Sequence, residues 1–148
     1  MYQQGQILYF NPFYFLNGNT SKNKYFIVLR QIKEQIIVAS LPTSKDFVPQ
    51  FITKNHGCLK SEDNTFCCYY FEKNKSITDN NWAFPMDTYL YAEQIEVYEL
   101  SLLNETYKYE DIDYQIIGDL TSTEYQNLIN CVVSSKAIKR KVRRALEE

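Results

Sequence analysis

Near residue 121 the apolar pattern of the chain changes period, and that change restricts the fold more than any other feature. Before it, apolar residues come in short runs separated by polar or turn-forming segments, as strands do. After it, Tyr125, Leu128, Ile129, Val132 and Val133 recur at helical spacing, and Thr121 with Glu124 matches a capping box. Ser134 and Ser135 break that helix or cap a second one. Residues 135–147 then predict a basic helix with Ile138, Val142, Ala145 and Leu146 on one stripe. The expectation is a mainly β body with C-terminal helices, an α+β chain. Residues 1–133 would form the body and first helix, and residues 134–148 a basic helical extension of the same domain.

The strands are read from β-branched and aromatic runs. Gln6–Phe10 is the first and ends at Asn11-Pro12; residues 17–24 read as a polar loop. Lys24–Arg30 and Gln35–Leu41 form a pair across a short connection at 31–34, and Pro42, which has no N–H for a ladder, ends the second. Residues 42–65 are polar and punctuated. Thr65–Phe71 predicts a buried strand, 72–81 a loop, and Trp82–Leu90 an aromatic loop or short strand. Gln94–Leu100 alternates as a half-buried strand does, 101–112 is a weakly patterned connection, and Asp113–Gly118 is the last strand.

A chain of 148 residues suits one domain rather than two cores. Its 45% hydrophobic and 23% charged content excludes disorder, and four Gly with four Pro exclude collagen-like and linker classes. The net charge of −2 conceals an asymmetry: residues 1–135 carry ten basic and sixteen acidic side chains, residues 136–148 six basic and two acidic. A basic end of this kind points to an anionic partner, with Lys139, Arg140, Arg143 and Arg144 as candidate nucleic-acid contacts; a solvated helix face is the plainer alternative. No signal peptide or membrane span is expected, which places the chain in the cytoplasm without a membrane partner.

The cysteines are Cys58, Cys67, Cys68 and Cys131. With no CxxC and no secretory signal, reduced thiols are the expectation. Cys67 and Cys68 point to opposite faces if they lie in a strand. His56, Cys58 and one of Cys67 or Cys68 could hold a metal, but their spacing matches no common zinc module, so neither metal nor cofactor is expected.

Four segments bear on a family. Gly5-Gln6-Ile7-Leu8 resembles the Gly-Asp-hydrophobic-hydrophobic opening of MazF/PemK-type toxins. Lys24-Tyr25-Phe26-Ile27-Val28-Leu29 sits where those proteins carry an Arg/Lys-Pro-x-hydrophobic-Val-hydrophobic strand. Ile37–Lys45 is similar to their next strand and its Pro-hydroxyl-hydroxyl loop, and Ile116–Tyr125 to their closing hydrophobic-Gly-x-Leu-Ser/Thr before a helix. About a third of the chain is covered, in the family's order. The resemblance implies a small, strongly curved SH3-like β-barrel with a C-terminal helix, usually a homodimer. Segments 42–65 and 72–93 exceed a minimal barrel of this type.

The activity implied is metal-independent cleavage of single-stranded RNA, with an antitoxin protein as partner. In that reaction the 2′-OH attacks the adjacent phosphate, a base takes its proton, an acid protonates the leaving 5′ oxygen, and a cation or hydroxyl stabilises the phosphorane. Thr43 and Ser44 offer hydroxyls, Lys45 and Lys24 cations, Asp46 a carboxylate, and His56 a candidate acid or base. Each has an ordinary alternative: a turn, a solvated pair, a strand-edge charge and a loop histidine. The family's usual Arg-Pro is Lys24-Tyr25 here, and lysine lacks the bidentate fork of arginine. The second hypothesis is therefore a non-catalytic SH3-like module that binds nucleic acid or protein through its barrel and basic helix.

Overall fold

The computed structural model describes residues 3–13, 22–39 and 45–147. Its strands are β1 (Gln6–Phe13), β2 (Lys22–Ile32), β3 (Gln35–Ala39), β4 (Gly57–Lys60), β5 (Cys67–Phe71), β6 (Thr88–Tyr91), β7 (Glu96–Glu99) and β8 (Tyr114–Asp119). Its helices are α1 (Leu100–Thr106), α2 (Ser122–Ser134) and α3 (Arg140–Glu147). The class is mixed α+β. Two antiparallel sheets form, one in the order β7-β3-β2-β1-β8 and one in the order β4-β5-β6.

The expected β2–β3 pair closes through a two-residue turn. Ile32 pairs with Gln35, and Lys33 takes φ 54° at the turn. β1 runs past the predicted stop at Pro12, because the pairing with β2 shifts register between Phe10 and Phe13. Such an irregularity lets a residue without an N–H sit in a strand. Two elements lie where no periodic signal was read. β4 has four residues inside the polar 42–65 segment, and α1 has seven inside the weakly patterned 101–112 connection. Elements that short carry too few residues to establish a period.

Alternation along β1 and β2 divides the interior. Ile7, Ile27 and Leu29 face a core shared with Tyr69 and Phe71 of β5 and Leu128 of α2. Leu8, Phe10, Phe26 and Val28 face a second core under Leu103 and Tyr107 at α1. The larger sheet is thus covered on both faces. β5 is buried on both faces too, as its unbroken apolar run predicts. Cys67 joins the first core and Cys68 a third, with Leu59, Tyr70, Tyr89 and Tyr91. The opposite-face expectation for these two cysteines holds.

The C-terminal helices dock through the stripe read from sequence: Leu128, Val132, Val142 and Leu146 are all buried. Ser135, extended at φ −73° and ψ 137°, separates them. Two side chains fasten them to β2. The Tyr125 hydroxyl donates to the Leu29 carbonyl at 2.6 Å. Arg30 donates to the carbonyls of Leu146 at 2.9 Å and Ala145 at 3.3 Å, placing a cation where the last carbonyls of α3 are otherwise unpaired.

The expectation of four reduced thiols is corrected. Cys58 of β4 and Cys131 of α2 form a disulfide, with Cα atoms 5.5 Å apart across 73 residues of sequence. Packing of α2 on the smaller sheet brings them together, and no local spacing encodes that. Cys67 and Cys68 are free and buried. No helix among the described residues is long and apolar enough to cross a membrane.

Candidate functional site

Lys24 pairs in register with Phe10 of β1 and is half-buried. Alternation sets it on the face of Phe26 and Phe10, the α1 side of the sheet. Its neighbour Tyr25 faces the other way, into an aromatic cluster with ring centroids 4.8 Å from Tyr9, 5.3 Å from Trp82 and 5.2 Å from Phe84. Burial, with Tyr9 alongside, raises the Tyr25 pKa. Trp82 and Phe84 thus anchor their loop on the main core.

Thr43 and Ser44 lie outside the described residues. Lys45 is exposed, and its carbonyl accepts from the Tyr91 hydroxyl at 2.9 Å. The carboxylate of Asp46 is engaged by Lys54 and by the Val48 N–H at 2.9 Å, so it does not form a couple with Lys45. Lys54 also sits 5.5 Å over the Tyr89 ring. Segment 45–54 is strapped in this way across the tyrosine face of the smaller sheet.

His56 is not an exposed loop histidine. Its side chain is 9% exposed, and its Nε2 faces both oxygens of Glu124 at 3.0 and 2.9 Å. Its Nδ1 accepts the Glu72 N–H at 3.1 Å, so the proton sits on Nε2 and points at the carboxylate. The Tyr69 hydroxyl donates to the same carboxylate. Burial on its own would raise the Glu124 pKa, but the hydrogen bonds from His56 and Tyr69 outweigh it and hold the carboxyl below its ordinary value. Burial, then the bond to Glu124, pushes the Tyr69 phenol up.

Two corrections follow from this cluster. The capping box is only half made. Thr121 accepts the Glu124 N–H at 3.1 Å, but the Glu124 carboxylate turns to His56 and Tyr69, and the Thr121 N–H goes to the Ile77 carbonyl at 3.0 Å. In addition, His56 contacts Tyr69 and Phe71, which belong to the first core, whereas Lys24 lies on the second-core face. The larger sheet separates them, and both ring nitrogens of His56 are committed within the fold. Glu124 and Tyr69 were legible only as a cap and a strand residue, since Glu124 meets His56 across 68 positions and Tyr69 across 55.

The basic helix divides likewise. Lys139 pairs with Glu96 at 2.9 Å, and Arg143 donates to the Ser135 carbonyl. Arg140 and Arg144 are exposed and four residues apart, one turn along the same face. Arg143 therefore serves the fold, Lys139 sits in an exposed ion pair, and Arg140 and Arg144 point outward. Comparison of the chain with family models, curated proteins and solved structures finds no match.

Proposed function

We propose that this chain is a MazF/PemK-like protein, a metal-independent endoribonuclease that cuts single-stranded RNA at the edge where β2 begins and β3 ends. One observation carries the reading. Ala39, the last residue of β3, pairs with Ile27, three residues from Lys24, and the strands are antiparallel. β3 therefore runs toward the Lys24 end of β2, and the chain next carries Thr43, Ser44 and Lys45 in sequence. In support, the four segments that resemble the family fall on β3, β2, β1 and β8, successive neighbours in one sheet, with α2 after them.

In this reading Lys24 holds the scissile phosphate, and the hydroxyls of Thr43 and Ser44 donate to its oxygens as negative charge develops. The 2′-OH attacks and gives its proton to solvent water, the bond from phosphorus to the 5′ oxygen breaks and that oxygen takes a proton from water, and a cyclic phosphate remains on the upstream fragment. His56 supports the fold and takes no part in the chemistry. The two sheets around their shared core would curve into the SH3-like barrel, and the cytoplasmic protein would act as a homodimer restrained by an antitoxin.

A second reading has its own observation, the outward pair Arg140 and Arg144. A non-catalytic module would bind nucleic acid through that face and leave it intact. The deciding experiment incubates purified protein with single-stranded RNAs of varied sequence in excess EDTA. Cleavage that Lys24→Ala removes supports the nuclease. Intact RNA in every context, with salt-sensitive binding, replaces it with the module.

A further inference from the structure

The disulfide is not alone. The free thiol of Cys67 lies 3.6 Å from the sulfur of Cys131, and the sulfurs of Cys58, Cys67 and Cys131 all fall within 4.8 Å of one another. They come from three elements, β4, β5 and α2, packed together independently of any Lys24 chemistry. We propose that these three cysteines form a site for a thiophilic metal ion of the zinc class, available when the Cys58–Cys131 bond is reduced.

The spacing suits the ligand chemistry. Two thiolates on a tetrahedral zinc with bonds of about 2.3 Å sit about 3.8 Å apart. The Cys67–Cys131 pair stands close to that separation already. Cys58 must move away from its bonded partner, and it is placed to do so. It is exposed, and β4 is an edge strand paired only with β5. The exposed edge is also the way in for the ion. Cys67 and Cys131 are 3% and 2% exposed, so two of the three ligands are held in the core.

One cation and one hydroxyl stand near the three cysteines. The Lys60 ammonium lies 3.4 Å from the Ser134 hydroxyl, which itself donates to the Cys131 carbonyl at 2.7 Å. The Lys60 ammonium would offset part of the negative charge that three thiolates leave on a divalent ion. Three protein ligands leave a fourth position for water or an exogenous donor.

The chemistry balances. A dithiol or phosphine reductant supplies two electrons, the Cys58–Cys131 bond breaks, and the reductant is oxidised to its disulfide or phosphine oxide. The ion then displaces the three thiol protons to solvent. Disulfide and metal exclude each other, because both need the sulfur electrons of Cys58 and Cys131.

The test uses the full chain, reduced with a phosphine, desalted without oxygen and titrated with Cd²⁺, whose thiolate complexes absorb in the ultraviolet. The expected result is saturation of that band at one ion per chain. Oxidised protein should give no band, Cys68→Ser should keep it, and Cys67→Ser should bind about 100-fold more weakly or less. X-ray absorption on the zinc-loaded wild type provides a second measurement that needs no variant, with three sulfur neighbours expected. No saturating band in the reduced protein, unchanged binding in folded Cys67→Ser, loss in Cys68→Ser, or fewer than three sulfurs would overturn the site. None of these outcomes bears on RNA cleavage.

Discussion

His56 and Glu124, 68 residues apart, meet with Nε2 at 3.0 and 2.9 Å from the two carboxylate oxygens. The contact ties the approach to β4 to the first turn of α2. It gives a buried carboxylate the donors that burial requires.

Removing a donor from that carboxylate should cost stability in a pH-dependent way. Tyr69→Phe and His56→Ala are each expected to lose about 1–3 kcal/mol at pH 7 by urea unfolding. Glu124 has its folded pKa lowered, so its contribution is present above the ordinary carboxylate value and is lost as pH falls through the folded one. The gap between wild type and Tyr69→Phe should therefore narrow on going from pH 7 to pH 3. A gap of constant size would show that Glu124 is not held in this way.

Loss of Arg30 should loosen α3 selectively. The two hydrogen bonds to the Ala145 and Leu146 carbonyls are the cap of that helix. Arg30→Ala is expected to cost about 1–2 kcal/mol and to expose residues 140–147 to proteolysis before the sheets open. Cleavage starting elsewhere would argue against the cap.

The disulfide should matter through the unfolded chain. It closes a loop of 73 residues between Cys58 and Cys131, and the loop-closure entropy of that length is worth about 4.4 kcal/mol. The Cys58→Ala, Cys131→Ala double variant, measured without metal, should be destabilised by up to that amount. Equal stability under oxidising conditions would mean the bond is dispensable.

For RNA cleavage, Lys24→Ala should lower kcat by about 100-fold or more, as the loss of a group that stabilises the developing charge does. His56→Gln should leave kcat within a few-fold of wild type while lowering thermal stability, because the ring is committed to Glu72 and Glu124. A large kcat loss in a folded His56→Gln would return His56 to the chemistry.

Nucleic-acid affinity should separate the basic residues into two pairs. Arg140→Ala with Arg144→Ala is expected to reduce the slope of log affinity against log salt by about 2, since these side chains are exposed. Lys139→Ala should change it less, because Lys139 is spent on Glu96. Equal slopes for the two sets would show that α3 contacts RNA along its whole surface.

Much of the fold was legible because it is written locally. The β2–β3 hairpin, the buried run at β5 and the stripe from Leu128 to Leu146 all appear as apolar periods that any alternative register would turn to solvent. β4 and α1 were not legible, since four and seven residues cannot show a period and take their structure from what they pack against. In the candidate site, Lys24 was expected at a strand start, but β2 begins at Lys22, and the face Lys24 shares depends on the register with Phe10.

The amino-acid sequence by itself determined the β-then-helix order, the Thr121 cap and the concentration of positive charge after residue 135, because propensity, capping and composition act over a few neighbouring residues. Only the tertiary structure decided the rest. It turned the Glu124 carboxylate from its own helix end to His56, paired Lys139 with Glu96, spent Arg143 on the fold, and joined Cys58 to Cys131 beside Cys67. Each of these contacts joins groups far apart in sequence or chosen by a competing partner. What selects them is the docking of α2 and α3 on the two sheets, which no local pattern records.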